Sequence, residues 1–143
     1  MTLEDYEEIL LRMRGYVSKT DKKSSVVLLV SGGLDSMITY GRLLKELELN
    51  IYPVHISRGQ RNSAYERAAI EYFENYFVKI YGRKRINKTE IIYMDIPPKK
   101  LKENLLSYMK MKGHPLRDPV LQMVAVQYAI SLNEKLEKIL RLS

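Results

Sequence analysis

The chain has 143 residues, 45% apolar and 29% charged, with 24 Lys and Arg against 17 Asp and Glu for a formal charge of +7. Those proportions exclude a disordered tail and describe one globular domain long enough to bury its own core. With no cysteine at all, disulfides, thiolate-bound zinc and a cysteine nucleophile are excluded. No apolar run approaches the roughly 18 residues of a membrane span, and the acidic opening "MTLEDYEEIL" lacks the basic-then-apolar order of a signal peptide, so a cytoplasmic protein with no membrane partner is expected.

In chain order, Thr2 and Asp5 have the spacing of a capping box. Leu3, Tyr6, Leu10, Met13 and Val17 recur at steps of three and four, which predicts an amphipathic helix over 3–17. Its apolar stripe is expected to pack on the domain, with a dimer contact as the alternative. "SKTDKKSS" then links to a buried strand over 25–30 that runs straight into "SGGLDS". Helical spacing resumes at Met37, Ile38, Leu43, Leu44 and Leu47, so a helix is expected from about Ser36 to Glu48, ended by Asn50.

"IYPVHI" at 51–56 predicts a second strand, where Pro53 argues for an edge or an irregular position. After the loop "SRGQRN", Tyr65, Ala68, Ala69, Tyr72, Phe73, Tyr76, Phe77 and Ile80 form a wide apolar stripe. This predicts a long helix with its aromatics in the core, closed by Gly82. "GRKRINK" at 82–88 reads as a solvated turn with cations beside a helix C-terminus, since no aromatic is interleaved as a nucleic-acid patch requires.

"TEIIYMDI" at 89–96 predicts a third strand, stopped by Pro97 and Pro98, with Asp95 at its end. A helix over 99–111 follows, with Leu101, Leu105, Tyr108 and Met109 inward. Beyond the loop "HPLRDP", "VLQMVAVQYAISL" is apolar almost all round and predicts a buried helix, while "LEKILRLS" alternates like a fourth strand at 137–142. Strands alternating with helices predict an α/β fold. It should be a doubly wound parallel sheet with helices on both faces and ligands at the carboxyl ends of its strands.

The turn at 31–36 carries the chemistry. Adjacent glycines allow positive φ and let backbone N–H groups approach an anion, and a helix starting at once adds unpaired amides. Ser31 and Ser36 can donate hydroxyls to the same anion. The turn lacks the lysine of a Walker loop and the third glycine of a dinucleotide fingerprint, which argues against γ-phosphate transfer. Asp35 beside a phosphate needs a cation between the two anions, and Mg²⁺ supplies one.

"SGGLDS" resembles the pyrophosphate-binding loop of the N-type ATP pyrophosphatase superfamily. "SRGQRNSAYERAAIEYF" at 57–73 and "HPLRDPVLQMVAVQYA" at 114–129 resemble, in the same order, segments of the 7-cyano-7-deazaguanine synthases within that superfamily. The resemblance implies a Rossmann-like, adenine nucleotide alpha hydrolase-like fold over 21–143, preceded by the helix of 1–20. It also implies a ligase that uses ATP and Mg²⁺ to convert a small carboxylate to an adenylate, releasing pyrophosphate, before attack by ammonia.

By that resemblance Ser31, Gly32, Gly33, Leu34, Asp35 and Ser36 hold the nucleotide, Asp35 approaches the metal, and Asp35 and Arg117 are the catalytic pair. Gln60, Arg61 and Arg117 then contact substrate. His55, at a strand end, is read either as a nucleotide contact or as a structural histidine. Arg117 is likewise open to a plain pairing with Asp118, and His114 alone makes no metal site.

Arg58, Asn62, Leu116 and Asp118 depart from the family pattern, and its zinc-binding cysteines are missing, so no zinc site and a truncated domain are expected. A homodimer or a partner chain is then expected over the edge left by the fourth strand. A tRNA-modifying enzyme, with tRNA as a less favoured partner, and a non-catalytic nucleotide-binding module stand as alternatives.

Overall fold

Three parallel strands, β1 (Ser25–Leu29), β2 (Asn50–Ser57) and β3 (Glu90–Tyr93), pair in that order, with Val26 opposite Ile51 and His55 opposite Ile91. Among the described residues five α-helices and one 3-10 turn (Arg83–Arg85) accompany them: α1 (Leu3–Arg14), α2 (Leu34–Glu46), α3 (Ser63–Tyr81), α4 (Lys99–Lys112) and α5 (Arg117–Leu142). The structure, a computed structural model, describes residues 1–17 and 20–142, with side-chain burial through 133. Ser18 and Lys19 of the expected linker, and Ser143, lie outside the described residues. The protein is thus a mixed α/β chain whose parallel sheet is flanked by helices.

The strand period of two sorts the core. Val26, Leu28 and Val30 join Ile51 in one cluster with Met37, Tyr40 and Leu44 of α2 and Ile70 and Phe77 of α3. Leu29, on the opposite side of the pleat, lines a cleft together with Leu121 of α5, which packs along β1. Tyr128 of α5 sits near Glu90 and Tyr52; burial first, and then the Glu90 charge, push its phenol above the ordinary tyrosine value.

Pro53 occupies the central strand and is fully buried, so of the edge or irregular position expected from its missing donor the edge is excluded and the irregular position holds, in a gap of the pairing with the β3 side. Backbone alternation explains the tolerance. The Asn50 N–H points to Ser24 beside β1, so the odd-numbered residues of β2 face the β3 side, where the Ile51 carbonyl accepts from Asn87. Pro53 falls between that contact and the start of the β3 ladder at Val54 and Glu90, where no donor is required.

Other expectations are corrected. Residues 137–142 continue α5 to Leu142 and form no fourth strand; their apolar period suits a helix as well as a strand, and helical propagation from α5 decides it. Helix α5 is half-buried, not enclosed: Val120, Leu121, Val124 and Tyr128 turn inward while Met123, Val126 and Ile130 are exposed. In α4, Leu105 and Met109 are half-buried but Leu101 and Tyr108 are exposed. The aromatics of α3 divide in the same way, with Phe77 buried and Tyr65, Tyr72 and Tyr76 at the surface. A three-stranded sheet offers too little area to cover every apolar stripe.

Helix α1 has the expected capping box at Thr2 and Asp5 and ends at Gly15, which has φ 74°. It is shorter than the predicted 3–17, and Tyr6 and Met13 of its stripe are exposed. Its start is fastened to α2, where Glu46 Oε2 accepts from the Leu3 N–H at 2.7 Å and Arg42 lies 5.4 Å from the Tyr6 ring centre. The Arg42 side chain first, and then the Leu3 N–H, hold the Glu46 carboxyl below its ordinary value. That anchor is therefore complete above the ordinary carboxylate value and is lost as pH falls through the depressed folded value.

The segment "GRKRINK" is more than a solvated turn. Ile86 is buried and bridges to Ile51, Arg85 donates to the Leu44 carbonyl at 3.0 Å near the end of α2, and Asn87 donates to Asn50. The neighbouring Glu74, though buried, accepts from the Thr89 hydroxyl at 3.0 Å.

Tyr40 is 1% exposed and its hydroxyl has no hydrogen-bond partner among the described residues. Burial, followed by the Glu74 charge, raises its pKa. An unmade buried hydrogen bond costs about 1–3 kcal/mol. Tyr40→Phe is therefore expected to leave stability unchanged or raise it by about 1 kcal/mol, read from the urea midpoint. A loss above about 1 kcal/mol would show that the hydroxyl has a partner.

Candidate functional site

The Ser-Gly-Gly turn owes its shape to two different glycines. Gly32 has φ 74°, and a Cβ there would lie 2.5 Å from the Glu66 carbonyl oxygen of α3, so the turn presses backbone to backbone against the next helix. Gly33 has φ −75° and ψ 160°, needs no left-handed freedom, and caps α2. The expectation that both glycines supply positive φ thus holds for Gly32 alone.

Helix α2 starts at Leu34, two residues before the position expected from sequence, which places Leu34, Asp35 and Ser36 in its first turn. Their amides have no intrahelical acceptor, and no side chain caps them. They leave unpaired donors at a helix terminus beside the end of β1, an arrangement with the chemistry to accept an anion. Within the turn, Ser36 Oγ donates to the Gly33 carbonyl at 2.9 Å, and Ser31 Oγ lies 3.2 Å from Ser36 Oγ and accepts from the Gly33 N–H. The Ser31 hydroxyl must rotate outward before it can meet a phosphate.

A cleft of about 380 Å³ opens at the carboxyl ends of β1 and β2. It brings together four of the expected residues: Ser31, His55, Gln60 and Arg117. Glu66, Arg58, Asp118 and Leu121 also line it and were not singled out from sequence as site residues. Asp35 and Arg61 are exposed and lie outside its lining; Gly32, Gly33, Leu34 and Ser36 belong to the adjoining turn. Arg117 lines the cleft and also donates from Nε to Asp118 Oδ1 at 2.9 Å, so its plain pairing and its place in the cleft coexist. Asp95 lies beyond β3, with a carboxylate oxygen 3.8 Å from Lys99 Nζ.

His55 is 2% exposed. Its Nδ1 lies 2.9 Å from the Val30 carbonyl, which only accepts, so Nδ1 carries a hydrogen and ties β2 to the residue before the turn. Nε2 lies 3.8 Å from Glu66 Oε2, and Glu66 Oε2 accepts from Gln60 Nε2 at 2.6 Å. Gln60 Oε1 in turn accepts from the Arg58 N–H at 2.8 Å. Glu66 thus supports the cleft through its side chain and the turn through its backbone. From sequence, a glutamate in the first turn of a helix signals only a favourable dipole partner; its meeting with His55 depends on the crossover from β2.

No group of three His, Cys, Asp or Glu side chains clusters as a metal cage among the described residues. Asp35 offers one exposed carboxylate in the first turn of α2. That fits Mg²⁺ in its usual form, held by one or two carboxylates, waters and the phosphates of a nucleotide. Among the described residues no helix is long and apolar enough to cross a membrane. Comparison of the chain with protein-family models and with curated proteins finds no match.

Proposed function

We propose that the chain is an ATP-dependent, AMP- and pyrophosphate-forming ligase that activates a small carboxylate for attack by ammonia. The reading is the one its resemblance to the 7-cyano-7-deazaguanine synthases implies, on an adenine nucleotide alpha hydrolase-like form of the α/β fold. The observation that carries it is the turn at 31–36: a left-handed Gly32, an uncapped first turn of α2 and two serine hydroxyls at the carboxyl end of a parallel strand. Such a terminus favours the charge that grows on a departing pyrophosphate.

In this reading the amides of Leu34, Asp35 and Ser36 and the Ser31 hydroxyl receive the β- and γ-phosphates. The substrate carboxylate attacks the α-phosphorus as the bond to pyrophosphate breaks, and no side chain of the chain is consumed. Mg²⁺, held by Asp35 and the phosphates, would supply charge neutralisation there. Arg117 at the cleft mouth neutralises phosphate or substrate charge, Gln60 orients the substrate side of the cleft, and Arg61 meets substrate from the exposed loop.

Incubation with ATP, Mg²⁺, ammonium and candidate carboxylates is expected to yield AMP and pyrophosphate, resolved by anion-exchange chromatography. ADP as the main product would overturn the reading. Binding of ATP without AMP formation for any carboxylate would identify a non-catalytic nucleotide-binding module instead.

A further inference from the structure

We propose that His55 Nε2 and Glu66 Oε2 form a two-acceptor seat at the base of the cleft for a nitrogen carrying at least two hydrogens, an amino group or an ammonium ion. Both residues line the same cleft, and their facing atoms are 3.8 Å apart. The Val30 carbonyl takes the hydrogen of Nδ1, which leaves Nε2 of the neutral ring as an acceptor. Nε2 is buried and has no hydrogen-bond partner among the described residues. A carboxylate oxygen also only accepts, so the two atoms cannot satisfy each other in this form at this distance. A group that gives one hydrogen to each satisfies Nε2 and adds a second donor to Glu66 Oε2, which already accepts from Gln60.

The seat also selects for charge. Glu66 is 17% exposed in its side chain, and among the described residues no lysine or arginine lies within 4.0 Å of its carboxylate. Its one side-chain donor among the described residues is the neutral amide of Gln60. A half-sequestered carboxylate with neutral partners favours a cationic or polarised N–H donor over a neutral one. Water has two hydrogens but lacks that charge, and the experiment below separates the two.

Two sources supply the same chemistry: the 6-amino group of adenine and free ammonium. The first rests on the proposed nucleotide binding, and the second does not. In the first case inosine triphosphate, which presents a carbonyl oxygen where ATP has its amino group, meets two acceptors with a third.

The test uses the whole chain with ¹⁵N-labelled histidine. The sequence has two histidines, and His55→Asn identifies the His55 signals while keeping an amide N–H near the Nδ1 position. A neutral ring bearing hydrogen on Nδ1 is expected. If adenine occupies the seat, ATP binds about tenfold more tightly than inosine triphosphate, the loss expected for one charge-assisted hydrogen bond. His55→Asn and Glu66→Gln then bring the two nucleotides to equal affinity. If ammonium occupies it, the nucleotides bind alike, and ammonium chloride moves the Nε2 signal where tetramethylammonium chloride does not.

Either pattern supports the seat. Absence of both differences, the result expected of water alone, overturns it, and so does a ring carrying hydrogen on both nitrogens with Nε2 donating to Glu66. If His55→Asn fails to fold, Glu66→Gln carries the affinity comparison. If no nucleotide binds, the proposed function fails while the ammonium comparison still decides the seat.

Discussion

Gly32→Ala is expected to destabilise the chain by about 2–4 kcal/mol, combining a left-handed backbone with a forced displacement of well-packed neighbours. The Cβ would stand 2.5 Å from the Glu66 carbonyl oxygen and 3.1 Å from the Glu66 Cα, both backbone atoms of α3 that cannot swing aside. Gly59 is the internal control, because it has φ 78° and nothing within 4 Å of the same added atom. Gly59→Ala therefore pays the dihedral term alone, about 1 kcal/mol. Urea denaturation of the two variants separates contact from conformation, and equal small losses would show that the turn does not bear on α3. The same displacement moves the turn away from Glu66 and the cleft, so Gly32→Ala should also bind ATP more weakly.

ATP with Mg²⁺ is expected to protect the chain against heat, since a ligand held only by the native state stabilises it by mass action. At a hundred times its dissociation constant the gain is about 2.7 kcal/mol, or roughly 5–10 °C for a chain of this size. Gly33→Val tests the mode of binding better than any change at Gly32. Gly33 lies in the extended region, and a Cβ there meets only Ser31 Oγ at 3.3 Å, the end of a side chain that can turn. The fold should lose about 1 kcal/mol at most, the usual scale of a changed helix cap, while the added methyls stand over the first amides of α2. Protection by ATP should fall to near zero. Asp35→Ala, at an exposed position, should remove only the part of the protection that depends on Mg²⁺. Undiminished protection of both variants in thermal-shift assays would remove the turn as the nucleotide site.

Local signals and long-range packing contributed differently to this molecule. The capping box at Thr2, the end of α3 at Gly82 and the strand before Ser31 were all legible in sequence, because each rests on dihedral preference or hydrogen bonding within a few residues. Parallel pairing followed from the alternation of strands and helices, since a short chain has few ways to return a strand beside its predecessor.

The sites of Pro53 and Tyr65 were not legible in that way. Hydrophobic period shows that a stripe exists but not whether another element arrives to cover it. Thus Phe77 meets Tyr40 at 5.1 Å between ring centres, while Tyr65 on the same helix is 80% exposed. Residues 137–142 fit both periods over so short a span, and attachment to α5 resolved them as helix. The pairing of His55 with Glu66 had no local signal at all. Eleven positions apart in the chain, they face each other because the loop after β2 turns α3 back across the strand's end, and only that crossover made two unremarkable side chains into a possible seat for an amino group.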